Sequence, residues 1–328
     1  MSGRIMRVLA MLVLACITCA GSMLARKGKA ARRAQSVRLL YWNIQNGMWD
    51  GQTDDYRRFT SWVDSLKPDV CVWCEAQSIW RTNSDKALPR EERQLPGRWP
   101  ELAARYGHTY IYIYIGEHRD NYPQVITSRF PLTNVKRLGG NADTLVAHGA
   151  GWAQMQVGKQ SINLVALHTW PQAYAQGAKN REQSIAGHGG DRQRRMEVEY
   201  IYRHTLGSVP DGDRQMWLMM GDFNSRSPLD NFHYHYAPED PRFWTQGFIL
   251  EHTPYIDIIA YRHPHQFVST STGGRIDFVY CTQPVYERIT EARVIRDAYT
   301  SQVRDAQKLG NFYHPSDHLP ILVDFTVE

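Results

Sequence analysis

The sequence has no internal repeat, no long basic run and few cysteines, five in 328 residues. Without a repeat there is no solenoid to consider. Only Cys71, Cys74 and Cys281 lie beyond the first 20 residues, each within an apolar, strand-like stretch. Cys71-Val72-Trp73-Cys74 has the spacing of a redox or zinc motif. Residues three apart in a strand face opposite sides, however, so this pair neither chelates one ion nor closes a disulfide. Three such thiols give no disulfide framework. Acidic residues are missing before Ser36, where Arg4, Arg7 and five more basic residues between Arg26 and Arg33 gather. They account for the formal charge of +5: of 38 basic residues, 31 remain after Arg33 against 33 acidic ones, a net charge of −2. A general nucleic-acid binder needs a basic surface, which this near-neutral remainder does not supply, although a local basic groove stays open.

Long apolar runs are also scarce. Val8 to Ala20 is interrupted only by Thr18 and two cysteines, and it follows the charged start at Arg4 and Arg7. It is shorter than the ~20 residues that cross a bilayer, and its flanks are those of an export signal over residues 1–25. Val13-Leu14-Ala15-Cys16 resembles an imperfect bacterial lipoprotein box, in which Cys16 would carry lipid; simple cleavage of the signal is the favoured reading and lipidation the alternative. Residues 26–36 read as a basic tether, and the protein is expected in the periplasm, secreted, or lipid-anchored at a bacterial surface.

What is present after residue 36 is a globular chain, 42% hydrophobic and 22% charged overall. Strands are predicted at Val37 to Trp42, Val70 to Cys74, Tyr110 to Ile115 and Gln124 to Thr127. Trp152 to Val157 and Ser161 to Leu167 read as a hairpin around Gly158-Lys159, and further strands are predicted at Gln215 to Met220, Arg275 to Cys281 and Leu319 to Phe325. Tyr56, Phe59, Val63 and Leu66 have helical spacing, with Asp54 or Asp55 as the cap and Pro68 as the stop. Arg192 to Thr205 reads as a second helix. Alternation of strand and helix predicts a layered α/β domain over residues 37–328.

The strands end in an unusual way. Six ends or edges carry polar side chains that a core would not choose: Asn43, Glu75, His168, Asp222 with Asn224, Asp277, and Asp317 with His318. Gly221-Asp222-Phe223-Asn224 taken alone reads equally well as a turn or a site. Asp222 and Asn224 are two apart and share a face, so a carboxylate and a carboxamide can point at one ligand. Six such ends in order suggest a site at one edge of a sheet.

Tyr41-Trp42-Asn43-Ile44, Pro68-Asp69-Val70 through Glu75, Val165-Ala166-Leu167-His168, Gly221-Asp222-Phe223-Asn224, Arg275-Ile276-Asp277-Phe278 and Ser316-Asp317-His318-Leu319-Pro320 together resemble the endonuclease/exonuclease/phosphatase superfamily of metal-dependent phosphoesterases. Val165 to Pro171 is especially similar to pancreatic-type deoxyribonucleases. The resemblance implies a four-layer α/β/β/α sandwich, two mixed sheets packed face to face with helices outside. It implies Glu75 as the main metal ligand, with Asn43 and Asp317 beside it, and Mg2+ as the ion with Mn2+ as a substitute. His318 would activate or orient the attacking water, its imidazole held by Asp277 or Asp317. Asp222 would position the water or bind a second metal. His168 and Asn224 would donate to the non-bridging phosphate oxygens, where charge builds in the transition state.

Arg275, just before Asp277, reads equally as a phosphate contact or a surface charge. His233-Tyr234-His235-Tyr236 and His263-Pro264-His265 are read as surface loops, since no cysteine or acid stands at ligand spacing. Trp49, Trp80, Trp99 and Trp170 lie near the expected site and suit base stacking, contact with lipid or the core. The activity expected is that of an exported, monomeric phosphodiesterase acting on nucleic acid. A phospholipid or sphingomyelin phosphodiesterase, a phosphoinositide phosphatase and a catalytically silent binding protein of the same fold are the alternatives.

Overall fold

A computed structural model describes residues 34–45, 55–76, 99–114, 122, 124–138, 145–301 and 315–328. The expected signal, Cys16, most of the tether, the Asn46-Gly47 turn, Trp49 and Trp80 lie outside the described residues.

Twelve strands among the described residues form two six-stranded sheets. The first contains β1 (Gln35–Asn43), β2 (Val70–Cys74), β3 (Tyr110–Tyr114), β4 (Gln124–Ser128), β11 (Ile289–Val294) and β12 (Ile321–Val327). Its order is β11-β12-β1-β2-β4-β3. The second contains β5 (Leu132–Leu138), β6 (Ala150–Val157), β7 (Gln160–His168), β8 (Met216–Asp222), β9 (Ile256–Asp257) and β10 (Asp277–Cys281). Its order is β5-β6-β7-β8-β10-β9. Each sheet has a parallel pair at its centre, β1 with β2 and β7 with β8, and antiparallel neighbours further out. Both sheets are therefore mixed, as the resemblance implies.

Alternation along the strands divides the core into layers. Val37, Leu39 and Tyr41 of β1 face Leu164, Ala166, Leu218 and Met220 of the other sheet in an inter-sheet core. Leu40 and Trp42 face outward, under Phe59 and Val63 of the helix Arg57–Leu66 and Leu102 of the helix Trp99–Ala104. Val165, Leu167, Trp217 and Met219 face outward on the second sheet, under Val198 and Ile201 of the helix Gly189–His204 and Ile249 of the helix Trp244–His252. Each fully buried leucine of this kind contributes about 1.5–3 kcal/mol. The layers are helix, sheet, sheet, helix, within one compact unit, Ser36–Val327. Cys71 belongs to the outer core and Cys74 to the inter-sheet core, so the pair does point to opposite faces.

The structure corrects one local expectation, adds a strand and settles which of its readings Trp99 takes. Asp55 does not cap its helix: the N-cap is Tyr56, without a side-chain bond, and Arg105 binds the Asp55 carboxylate at 2.8 Å. The strand over Leu132–Leu138 was not expected, because it is an exposed edge without apolar alternation. Trp99 is a core residue, stacked on Trp73 at 5.9 Å.

Candidate active site

The carboxyl ends of the two parallel pairs open on one site. Asn43 ends β1, opposite Cys74, and Glu75 follows β2. In the other sheet His168 ends β7 opposite Asp222, and Asp222 pairs with Asp277 at the start of β10. Strand pairing thus brings Asn43 and Glu75 from one sheet to His168, Asp222 and Asp277 of the other. Gly221 makes the close fit possible, since a Cβ there would fall 2.1 Å from the Leu167 carbonyl oxygen. Glu75, Asn224 and Gln45 all have left-handed backbone, φ 52°, 47° and 44°. Non-glycine residues in this region carry strain, which clusters at functional sites.

Hydrogen bonds join these residues into one group. The Asn43 amide donates from Nδ2 to Glu75 Oε1 at 3.2 Å and to Asp222 Oδ2 at 3.1 Å. His168 Nε2 stands 3.9 Å from Glu75 Oε1 and 3.7 Å from Asp222 Oδ2. His318 Nδ1 meets Asp277 Oδ2 at 2.7 Å, and its Nε2 faces Asp222 Oδ2 at 3.9 Å. Tyr41, inside the inter-sheet core, donates its hydroxyl to the other Asp277 oxygen at 2.8 Å. Tyr41, Asp277 and His318 form a continuous buried relay. Of the two carboxylates expected to hold the imidazole, it is Asp277 that does so. Asp317 stands 3.8 Å from His318 Nε2 and lines the cavity.

Charge follows this geometry. Burial pushes the Asp222 carboxyl up to about 7, with Asp277 and Glu75 adding to it and His318 opposing. Burial also works against a charge on His318, but Asp277, Asp222 and Asp317 outweigh it and hold the imidazole well above its ordinary value. His168 goes the other way: burial, then His148 and His318, push it well below its ordinary value, so it is neutral and can donate one N–H.

Glu75, His168 and Asp222 each offer one ligand atom, all within 4.8 Å of one another, as do Asp222, Asp277 and His318. These donors fit a divalent cation. Carboxylate oxygens suit a hard ion, and a dication would offset the repulsion that Asp277 and Glu75 add to the burial of Asp222. Asn43 faces the cluster with its amide nitrogen, while its Oδ1 accepts the Gln45 N–H at 3.0 Å. In this state it orients the carboxylates rather than offering an oxygen to a metal.

A cavity of about 380 Å³ opens over the cluster, lined by Gln45, Glu75, Tyr122, His148, His168, Trp170, Pro171, Gln172, Asp317 and His318. Asn224 is not in its lining; its Nδ2 donates to the Thr169 carbonyl at 3.1 Å and its backbone N–H to Asp222 Oδ1 at 2.9 Å. It holds the turn after β8, with one amide N–H left over.

Arg275 is not brought to the site. It is buried, its Nε bonded to Asp230 at 2.8 Å and its Nη1 to both oxygens of Asp257 at 2.9 and 2.8 Å. Both readings of it, phosphate contact and surface charge, are corrected. His233 stacks on Phe267 at 3.7 Å and His263 Nε2 meets the Ala292 carbonyl at 2.8 Å, so neither joins a metal cluster among the described residues.

Residues the sequence did not single out complete the wall. His148 stacks on His168 at 4.4 Å and lies 5.8 Å from Trp170 at 22°. Tyr122 meets His148 edge-on at 4.8 Å. Neither ends an apolar strand, the one signal that marks the other site residues.

The profile of the Endonuclease/Exonuclease/phosphatase family matches residues 40–318. Among solved structures, the AP endonuclease from Archaeoglobus fulgidus is similar with a TM-score of 0.54 at 15% identity, covering 88% of this chain and 99% of that one. The human Nocturnin catalytic domain, solved with a bound sulfate anion, is similar with a TM-score of 0.55 at 13% identity, covering 92% and 98%. At these identities the likeness is one of fold. No curated protein sequence matches the chain.

Proposed function

The chain belongs to the endonuclease/exonuclease/phosphatase family, a metal-dependent phosphoester hydrolase by that membership, and from this premise we propose that it cleaves phosphodiesters, with nucleic acid as the substrate and magnesium as the ion. The observation that carries this reading is the buried pair His318–Asp277 at 2.7 Å, facing Asp222 across a cluster that also holds Glu75 and His168. The likeness of Val165 to Pro171 to pancreatic-type deoxyribonucleases supports nucleic acid, as do the rings of His148 and Trp170 in the cavity wall.

Glu75 and Asp222 would hold the metal, with the His168 Nε2–H beside them left for phosphate. When bound, such an ion draws electron density from a phosphate oxygen and offsets the charge that develops there. The chain's own groups do the rest. Asp277, fixed by Tyr41, holds His318 by Nδ1 and leaves Nε2 to take a proton from water. That water attacks phosphorus in line, the bond to the leaving alcohol oxygen breaks, and a phosphomonoester and an alcohol result. His318 then returns its proton to the departing oxygen or to solvent. His168 donates an N–H to a non-bridging oxygen, and Asn224 holds the turn that presents Asp222 through its bonds to the Thr169 carbonyl and Asp222 Oδ1.

Export over residues 1–25 with cleavage of the signal, and a monomeric state, belong to the same proposal, with lipid attachment at Cys16 as the alternative. The mass of the exported protein and its size in solution test them.

Incubating the purified protein with plasmid DNA, RNA, sphingomyelin and a phosphoinositide, each with magnesium or manganese, tests the substrate. Cleavage of DNA or RNA is the expected result. Turnover of lipid alone would keep the phosphoesterase and sink the nuclease reading.

A further inference from the structure

Glu197 has no part in the chemistry above, yet it is fully buried in the middle of the helix Gly189–His204. Burying a carboxylate is costly, and a packing role alone would be better served by leucine. Its two oxygens show what it does. Oε1 accepts the N–H of Ala147 at 2.7 Å, and Oε2 accepts the N–H of Trp170 at 2.9 Å. These amides belong to different segments. Ala147 precedes His148 in the stretch leading into β6, and Trp170 lies in the turn that leaves β7 after His168.

Neighbours on the helix act on the same two segments. Gln193 donates to the Leu145 carbonyl at 2.7 Å. Arg194 donates to the carbonyls of Trp170 and Gln172 at 2.9 and 3.1 Å. Both segments put rings into the cavity wall, His148 and Trp170. A group outside the cavity therefore sets the two rings that wall it. Only a carboxylate presents two acceptor oxygens to two N–H groups; glutamine would turn an NH2 against one of them.

We propose that Glu197 is a positioning residue, a carboxylate clamp that fixes the spacing of the His148 and Trp170 rings and, through them, the seat for the organic part of the substrate beyond the scissile phosphate. The seat rests on the phosphodiester reading; the clamp does not. Burial pushes Glu197 up to about 7, against the pull of the two amides, His148 and Arg194. Alkaline pH therefore favours the two-acceptor form.

The test is a double-mutant cycle in the full chain with Glu197→Gln and Trp170→Ala, read as KM and kcat on a DNA oligonucleotide at pH 8. Glu197→Gln should raise KM about tenfold and change kcat less than about threefold. Adding it to Trp170→Ala should raise KM little further, because the ring spacing that Glu197 sets is already lost when the Trp170 ring is removed. Additive effects on KM, or a fall in kcat at unchanged KM, would overturn the proposal. Amide hydrogen exchange on Glu197→Gln decides the clamp without any substrate. Exchange should rise together in residues 145–150 and 169–172 while the helix Gly189–His204 keeps its protection. Unchanged exchange in either segment sinks the clamp. An oligonucleotide left intact by the unmodified protein would count against the phosphodiester reading and the seat instead.

Discussion

Replacing His318 with alanine should lower kcat by about a thousandfold and leave KM within about threefold, the pattern of a group that acts in the transition state. Its neighbours leave the imidazole little freedom. Asp277 Oδ2 holds Nδ1 at 2.7 Å, and Tyr41 fixes Asp277 from the core. Ser316 binds the backbone on both sides, donating its hydroxyl to the Asn43 carbonyl at 2.6 Å and accepting the His318 N–H at 3.1 Å. Only Nε2 is left to face the cavity. The same surroundings predict the pH dependence. Burial resists a proton on His318, but Asp277, Asp222 and Asp317 outweigh it, so the metal-free imidazole stays charged well past its ordinary range. A base must be neutral to work, so kcat should rise with pH as that proton leaves. Cations bound in the cluster oppose the carboxylates, so magnesium should move the imidazole titration to lower pH. Histidine NMR spectra with and without magnesium measure this directly. A titration that does not move, or a His318→Ala variant within tenfold of the parent in kcat, would remove His318 from the chemistry.

Replacing Arg275 with alanine should cost about 3–5 kcal/mol of stability, because it leaves two buried carboxylates without their cation. Arg275 is 1% exposed, with Asp230 and Asp257 at 4% and 0%. Its guanidinium also lies over the Phe278 ring at 4.5 Å. Burial disfavours its charge, yet Asp257 and Asp230 more than compensate and raise its pKa. A loss of this size is a large part of the about 5–15 kcal/mol that a folded domain has in reserve. Thermal unfolding should show a midpoint about 10 °C lower. A phosphate contact would give the opposite signature, a raised KM at unchanged midpoint. Restoring stability by replacing Asp230 and Asp257 with apolar residues in the same variant would confirm the cause.

Much of the site was legible because its main residues border apolar runs. Asn43, Glu75, His168 and Asp222 stand where a strand stops and Asp277 where β10 begins, antiparallel to β8, so strand pairing had to gather them at one edge. Arg275 was misread for a tertiary reason. Its partners Asp230 and Asp257 lie 45 and 18 residues away, so nothing local to Arg275 shows them. Tyr41 looked like any apolar strand residue, and only the inter-sheet packing shows its hydroxyl meeting Asp277. Glu197 looked like one acid among several on a charged helix, since its role is set by amides of two loops distant in sequence. Asn43 was read as a metal ligand from the resemblance, whereas its amide nitrogen meets the carboxylates here. The exposed edge β5 lacks the periodicity that marks the other strands.

The most direct test of the account is the initial rate of phosphodiester hydrolysis by the purified protein with magnesium, after chelation, and after magnesium is restored. Glu75→Gln and Asp222→Ala variants, shown to be folded by thermal unfolding, are measured beside it. The account predicts turnover that disappears on chelation, returns with the metal, and is lost in both variants. Turnover that survives chelation, or that persists in both folded variants, would contradict a metal-dependent centre at the meeting of β1, β2, β7 and β8.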